Sequence, residues 1–282
     1  GRSTRGYLEV DLMQHNSDAV GDEALEVKED FPDMPVVVCE DRVEGVRRLM
    51  REHPIDVVVL DDGFQHRRLR RDLDIISIDA LHSPWKDLLL PMGRLREPAW
   101  NLRRANLLVI RNSSKLEKFK PPKRYYKRLV YARLEPRDLI PLDSQLEAIP
   151  GSSLFRQPVV AFSGLGDNES FRDMLFGQSF NLLGFFLFED HHPYSSEDLQ
   201  HVTAFYQNQV NLGIFTETPI ILTTQKDAMR LKDREWFNEE FADLPIFYLR
   251  VELRISGNKR SFDSVLKRKL ERKLSSTHAE PE

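Results

Sequence analysis

Apolar runs alternate with helix-patterned stretches along this chain in the rhythm of an α/β protein. Val36-Val37-Val38 is followed by Val43, Val46, Leu49 and Met50, spaced to share one helix face, and then by the run Ile55 to Leu60. That order predicts a strand, a crossover helix and a second strand. Further runs at Ile75-Ile76-Ser77-Ile78, Leu107-Leu108-Val109-Ile110 and Leu129-Val130-Tyr131 extend a first sheet to about residue 135. Pro136, Pro141, Pro150 and Pro158, with Gly151-Ser152-Ser153 among them, then read as a linker. The pattern restarts at Pro158 to Phe162, Leu182 to Phe188, Pro219 to Thr224 and Ile246 to Leu249. A helix fits over Ser196 to Asn208, capped by Ser195 or Ser196 and apolar at Leu199, Val202 and Phe205. A basic helix fits Val265 to Lys273. The expected organisation is a first α/β domain over 1–135, a linker over 136–157 and a smaller α/β domain over 158–282.

Composition narrows this little. With 40% hydrophobic and 30% charged residues the chain is an ordinary globular one, and its net charge of −4 argues against nucleic-acid binding. Cys39 is the single cysteine, which excludes an intramolecular disulfide and a thiolate zinc site. No run reaches the roughly 18 apolar residues of a membrane-spanning helix.

Polar clusters recur just after predicted strands, where an open α/β sheet gathers its ligands. Val57-Val58-Val59-Leu60 ends in Asp61-Asp62-Gly63-Phe64-Gln65-His66. Strand-end carboxylates are the usual magnesium holders in phosphoryl transfer, although an acidic pair also suits a plain loop start. Arg67, Arg68, Arg70 and Arg71 follow, as either a solvated helix face or an anion contact. Arg94, Arg96 and Glu97 lie in a proline-flanked turn and offer a guanidinium fork for phosphate or a routine surface pair. Asp190-His191-His192 follows the most apolar run, and an imidazole there suits proton transfer from a hydroxyl. Lys226 either pairs with Asp227 at a helix start or approaches a ligand, and Gly21-Asp22-Glu23 is on its own a common loop triplet.

Taken in order, these clusters resemble the tetraacyldisaccharide 4′-kinases of lipid A biosynthesis, whose hallmark is Asp-Asp-Gly-Phe-Gln-His followed by a leucine and Arg-Asp-Leu. Here that reads Asp61 through His66, Leu69 and Arg71-Asp72-Leu73. The resemblance implies a P-loop-kinase-like parallel sheet domain, truncated at its N-terminus, with a second, smaller α/β domain. It implies transfer of the ATP γ-phosphate to the 4′-hydroxyl of tetraacyldisaccharide 1-phosphate by a monomer in peripheral contact with the cytoplasmic face of the inner membrane. Carried onto this chain, Asp22 acts with His192 or its neighbour His191 to activate the hydroxyl. Asp61, Asp62 and Glu97 supply the Mg2+ surroundings, and Arg96, with Arg94 second, contacts phosphate; Lys226 is counted with the nucleotide-facing residues. The chain departs from the family in one respect: no Gly-x-x-x-x-Gly-Lys-Ser/Thr occurs in it, and it starts at Gly1-Arg2-Ser3. It therefore reads as a fragment, expected to be nearly inactive alone. The competing readings are an Asp-His-His metal phosphoesterase and a non-catalytic relative.

Overall fold

The computed structural model describes residues 3–111, 119–143, 145–151, 156–166, 168–178, 180–232 and 234–277. Gly1, Arg2, Ser152 and Ser153, on which parts of the sequence reading rest, lie outside them. In chain order the elements begin with β1 (Leu8–Glu9), α1 (Ser17–Val20), α2 (Asp22–Asp30), β2 (Val37–Val38), α3 (Arg42–Glu52), β3 (Ile75–Asp79), β4 (Leu107–Arg111), β5 (Leu129–Pro141) and β6 (Ile149–Pro150). They continue with β7 (Pro158–Ser163), α4 (Asn168–Gly177), β8 (Asn181–Leu187), α5 (Ser196–Leu212), β9 (Ile220–Thr224), α6 (Gln225–Leu231), α7 (Glu235–Glu240), β10 (Ile246–Gly257) and α8 (Lys259–Thr277).

The chain forms two compact units that cut across the sequential division expected above: 1–53 groups with 136–251, and 54–135 with 252–282. Residues 136–141 belong to β5 and 149–150 to β6, so much of the proline-rich stretch lies in strands. Pro136 and Pro141 lie outside the two-residue antiparallel pairing that β6 makes with Asp138 and Leu139.

In the first unit the strand order runs β5-β10-β9-β7-β8, and the pairs β10/β9, β9/β7 and β7/β8 are parallel. Every residue of β7 and β9 is buried, as strands covered on both faces require. Successive side chains sort to opposite faces. Val159, Ala161, Ile220 and Leu222 pack with Phe171 and Leu175 of α4. Val160, Phe162 and Ile221 pack with Leu199 and Val202 of α5 and Phe237 of α7. Ser195 caps α5 in a reciprocal box with Asp198, and Gly213 ends the helix in the left-handed conformation (φ 61°) that glycine adopts without penalty. A third cluster joins α2 to α6 through Leu25, Ala228 and Met229.

In the second unit β3, β4 and β5 run parallel. β4 is the buried centre, with Leu108 and Ile110 on one face and Leu107 and Val109 on the other. Phe262 and Val265 of α8 cover the latter face, and α8 starts ahead of the expected Val265.

Ile55 to Leu60 is not a strand but irregular chain, with Val59 88% exposed and Val57 51% exposed. A β-branched run becomes a strand only against a ladder partner, and among the described residues none pairs with it. The turn beyond it falls on Asp62 (φ 45°), an aspartate in the left-handed region, rather than on Gly63. Gly63 is crowded instead: a Cβ there would meet the Leu60 side chain at 2.4 Å, and that side chain would have to shift.

Candidate active site

In the first unit, the polar groups collect at the carboxyl ends of the parallel strands, the usual ligand edge of such a sheet. Gly164 follows β7, Glu189 to His192 follow β8, and Gln225 to Arg230 follow β9. Asp22 reaches the same place from the start of α2, where Gly21 (φ 91°) makes a joint with α1 that an L side chain would strain.

Arg230 organises the cluster. Its Nη2 donates to Asp22 Oδ2 at 2.5 Å and to His191 Nδ1 at 3.1 Å, while Nε donates to the same Asp22 oxygen at 3.1 Å. Nη1 donates to Asp227 Oδ1 at 2.9 Å and to the Gly164 carbonyl at 3.1 Å. Asp227 is wholly buried and also accepts from Thr224 Oγ1 at 2.6 Å and from the Gly164 N–H at 3.2 Å. Burial pushes the Asp227 carboxyl upward, against the hydroxyl of Thr224 and the charge of Arg230. Burial acts the same way on Asp22, but there the Arg230 hydrogen bond and charge, with His191 and Lys226, outweigh it and hold the carboxyl below its ordinary value.

The adjacent histidines part company. His191, in the left-handed conformation (φ 57°), lies with Nδ1 3.5 Å from Asp22 Oδ2 and is mostly exposed. His192 turns away to stack on Phe188 with ring centroids 4.8 Å apart, and its Nε2 meets Asp198 Oδ2 at 2.9 Å. Lys226 pairs with Glu23 at 2.6 Å rather than with Asp227, whose carboxylate is taken by Arg230 and Thr224.

In the second unit, Asp61 Oδ1 accepts from the Asp62 N–H at 2.9 Å, and Asp62 Oδ2 accepts from Arg96 Nη1 at 2.6 Å in an exposed pair. Glu97 is committed elsewhere, to Arg104 Nη2 at 2.6 Å and Asn101 Nδ2 at 2.7 Å. Arg94 contributes its backbone N–H to Asp87. No three carboxylate, imidazole or thiol side chains converge on a cation site among the described residues. Asp61, Asp62 and Glu97 therefore do not form a ready-made cage. Magnesium does not need one, since it is commonly bound by one or two carboxylates with phosphates and waters, and the exposed Asp61-Asp62 pair fits that donor set. Of the four neighbouring arginines, Arg71 is structural: it ties Asp74 at 2.6 Å and the carbonyls of His66 and Leu69. Phe64 is held beneath the Arg104 guanidinium, 4.0 Å from the ring centroid.

Sequence reasoning named Asp22, put His192 ahead of His191, mentioned Asp227 only as a partner for Lys226, and missed Arg230. The available signal was the i, i+3 spacing of Thr224, Asp227 and Arg230 on one helix face.

A mostly parallel α/β sheet whose strand ends in one unit bring together an aspartate, a histidine and a buried arginine, in a chain whose other unit carries a paired-carboxylate turn, has the make-up of a P-loop-kinase-like phosphotransferase. The comparisons with known proteins agree. The sequence profile of the family described as tetraacyldisaccharide-1-P 4′-kinase matches residues 1–271. The tetraacyldisaccharide 4′-kinase of Chlorobium limicola is 31% identical over 94% of this chain and 76% of its own length. That of Aquifex aeolicus is 34% identical over 83% of this chain and 68% of its own. A crystal structure of the Aquifex aeolicus protein, described as an "apo" form in complex with ATP, superposes with a TM-score of 0.68 at 30% identity, covering 95% of this chain and 76% of that one. The chain belongs to the tetraacyldisaccharide-1-P 4′-kinase family.

Proposed function

We propose that this protein is an ATP-dependent lipid kinase that phosphorylates the 4′-hydroxyl of tetraacyldisaccharide 1-phosphate to give lipid IVA, with Asp22 and His191 as the pair that activates the hydroxyl. The carrying observation is that Asp22 Oδ2 and His191 Nδ1, 3.5 Å apart, are held side by side by one donor, Arg230 Nη2. Asp22 Oδ2 is occupied by Arg230, whereas among the described residues Oδ1 meets the Glu23 N–H at 3.1 Å and keeps lone-pair capacity for a substrate hydroxyl. The 4′-oxygen bonds to the γ-phosphorus, the bond from that phosphorus to the departing ADP oxygen breaks, and the hydroxyl proton passes to Asp22. Such a transfer has a loose transition state, so a carboxylate that is a weak base still serves: it orients the nucleophile and takes the proton late.

Asp61 and Asp62 are the residues that would hold Mg2+, which when bound neutralises phosphate charge. Arg96 exchanges its exposed pairing with Asp62 for phosphate, for which its planar fork is suited. Glu97 supports this turn through Arg104 and Asn101 instead of entering the metal shell. An acylated substrate implies work at a membrane surface, here as a monomer in peripheral contact with the cytoplasmic face of the inner membrane; no described helix is long and apolar enough to cross one. The hydrolase alternative gains nothing from the geometry, because the two imidazoles of its Asp-His-His run go to separate partners.

The test is steady-state kinetics on the full-length enzyme with ATP and the lipid acceptor. Asp22→Ala and His191→Ala should each depress kcat while leaving the KM for ATP near that of the parent, and His192→Ala should mainly lower thermal stability. Parent-like turnover in both the Asp22 and His191 variants would refute the assignment.

A further inference from the structure

The guanidinium of Arg230 has all five of its N–H donors matched to acceptors: Nε and one Nη2 hydrogen to Asp22, the other Nη2 hydrogen to His191, and the Nη1 pair to Asp227 and the Gly164 carbonyl. Its side chain is 8% exposed and that of Asp227 is 0% exposed. The mount beneath it is rigid. Asp227 sits in the first turn of α6, where its N–H donates to the capping Thr224 hydroxyl at 3.2 Å and its carboxylate receives that hydroxyl and the Gly164 N–H. Gly164 also accepts from the His191 N–H at 3.2 Å, so a single residue of the β7 loop fixes both the arginine and the histidine backbone. A Cβ on Gly164 would meet Tyr194 Oη at 3.0 Å, the Glu189 carbonyl at 3.1 Å and Asp227 Oδ1 at 3.3 Å, which leaves no slack.

An arginine can only donate, so the 3.1 Å contact is a hydrogen bond in the tautomer of His191 that leaves Nδ1 as acceptor and carries its hydrogen on Nε2. We propose that Arg230, mounted on Asp227, is the positioning residue of the acceptor-activating pair, fixing the Asp22 carboxylate and the Nε2-protonated tautomer of His191 for the incoming hydroxyl. This rests on the reading of Asp22 as the hydroxyl-activating group. Lysine cannot replace it, because an ammonium has too few hydrogens and no planar fork with which to span four acceptor groups. Facing Asp22 are the charged Arg230 and Lys226 from α6 and Glu26 from its own helix, with the titratable His191 from the β8 loop. Without Arg230, burial of Asp22 loses its main opposing hydrogen bond and charge and is left chiefly to Lys226, so the carboxyl should titrate at higher pH.

The experiment compares full-length parent, R230K, R230Q, D227N and D22N enzymes in ATP- and lipid-dependent turnover across pH, with 15N NMR of histidine-labelled protein. Both Arg230 variants should lose about 100-fold in kcat, the scale of a small misplacement of catalytic groups, with little change in the KM for ATP. The acidic limb should move to higher pH, further in R230Q than in R230K, and the His191 Nδ1 resonance should lose the acceptor signature seen in the parent. D227N should reproduce the kinetic loss in milder form, and R230K, which keeps the charge, carries the comparison should R230Q fail to fold. An inactive D22N beside an R230K enzyme with parent kcat, pH profile and His191 spectrum would overturn the positioning role. A D22N enzyme of parent turnover would instead remove the hydroxyl-activation reading beneath it.

Discussion

Replacing Glu26 by glutamine should stabilise this protein at alkaline pH and leave it nearly unchanged at acidic pH. Glu26 lies on α2, one helical turn beyond Asp22. Burial, the largest cause, pushes its carboxyl up from 4.5 to about 7; the neighbouring Asp30, Asp22 and Glu23 add to the rise, and Lys226 opposes it. Because the folded value lies above the unfolded one, the native state binds the extra proton. The associated stability is fully present below 4.5 and is lost as pH rises through about 7. The gap between those values, at ~1.4 kcal/mol for each pH unit, corresponds to about 3 kcal/mol, and residual solvent exposure brings it nearer 2 kcal/mol. Glutamine keeps the shape and removes the titration. Urea unfolding of parent and E26Q at about pH 5 and about pH 8 isolates the effect, because contributions common to both proteins cancel in the double difference. E26Q should be more stable by about 2 kcal/mol at the higher pH and within about 0.5 kcal/mol of the parent at the lower. An equal difference at both pH values would show that Glu26 does not titrate between them, and the argument from burial would fail.

Leu222, wholly buried in β9, should cost about 2–5 kcal/mol of stability when replaced by alanine, read by denaturant unfolding, because the covered parallel strand can collapse little around the cavity. Asp62→Asn should shift the Mg2+ dependence of turnover to higher concentration without lowering the melting temperature. Glu97→Gln should do the reverse, since Glu97 serves Arg104 and Asn101 rather than the cation; an equal Mg2+ shift in both would place Glu97 back in the metal shell.

What the sequence reveals about this fold, and what it conceals, follows from the range of the interactions involved. Pro158 to Ser163 and Ile220 to Thr224 could be read as covered strands because continuous burial leaves its mark in adjacent residues. Val57 to Leu60 carries the same mark without the structure, because a strand is made by a partner and composition does not name one. The division into units was hidden for a related reason: residues 1–53 pack with 136–251 through contacts such as Arg230 to Asp22, which are 208 residues apart.

Arg230 shows how such distance conceals a functional group. In Asp227-Ala228-Met229-Arg230-Leu231 it resembles the polar position of an ordinary amphipathic helix, yet all of these residues are buried. A buried guanidinium is tolerated only where its donors find partners, and those partners come from α2 and from the loops after β7 and β8. The two histidines pose the same problem at shorter range. Family resemblance puts His192 ahead of His191, whereas the backbone presents them differently: the left-handed turn at His191 sends one ring towards Asp22 and the next onto Phe188 and Asp198. The ambiguity was therefore conformational rather than chemical, since both residues have the same titrating group and differ only in which carboxylate the turn presents to it.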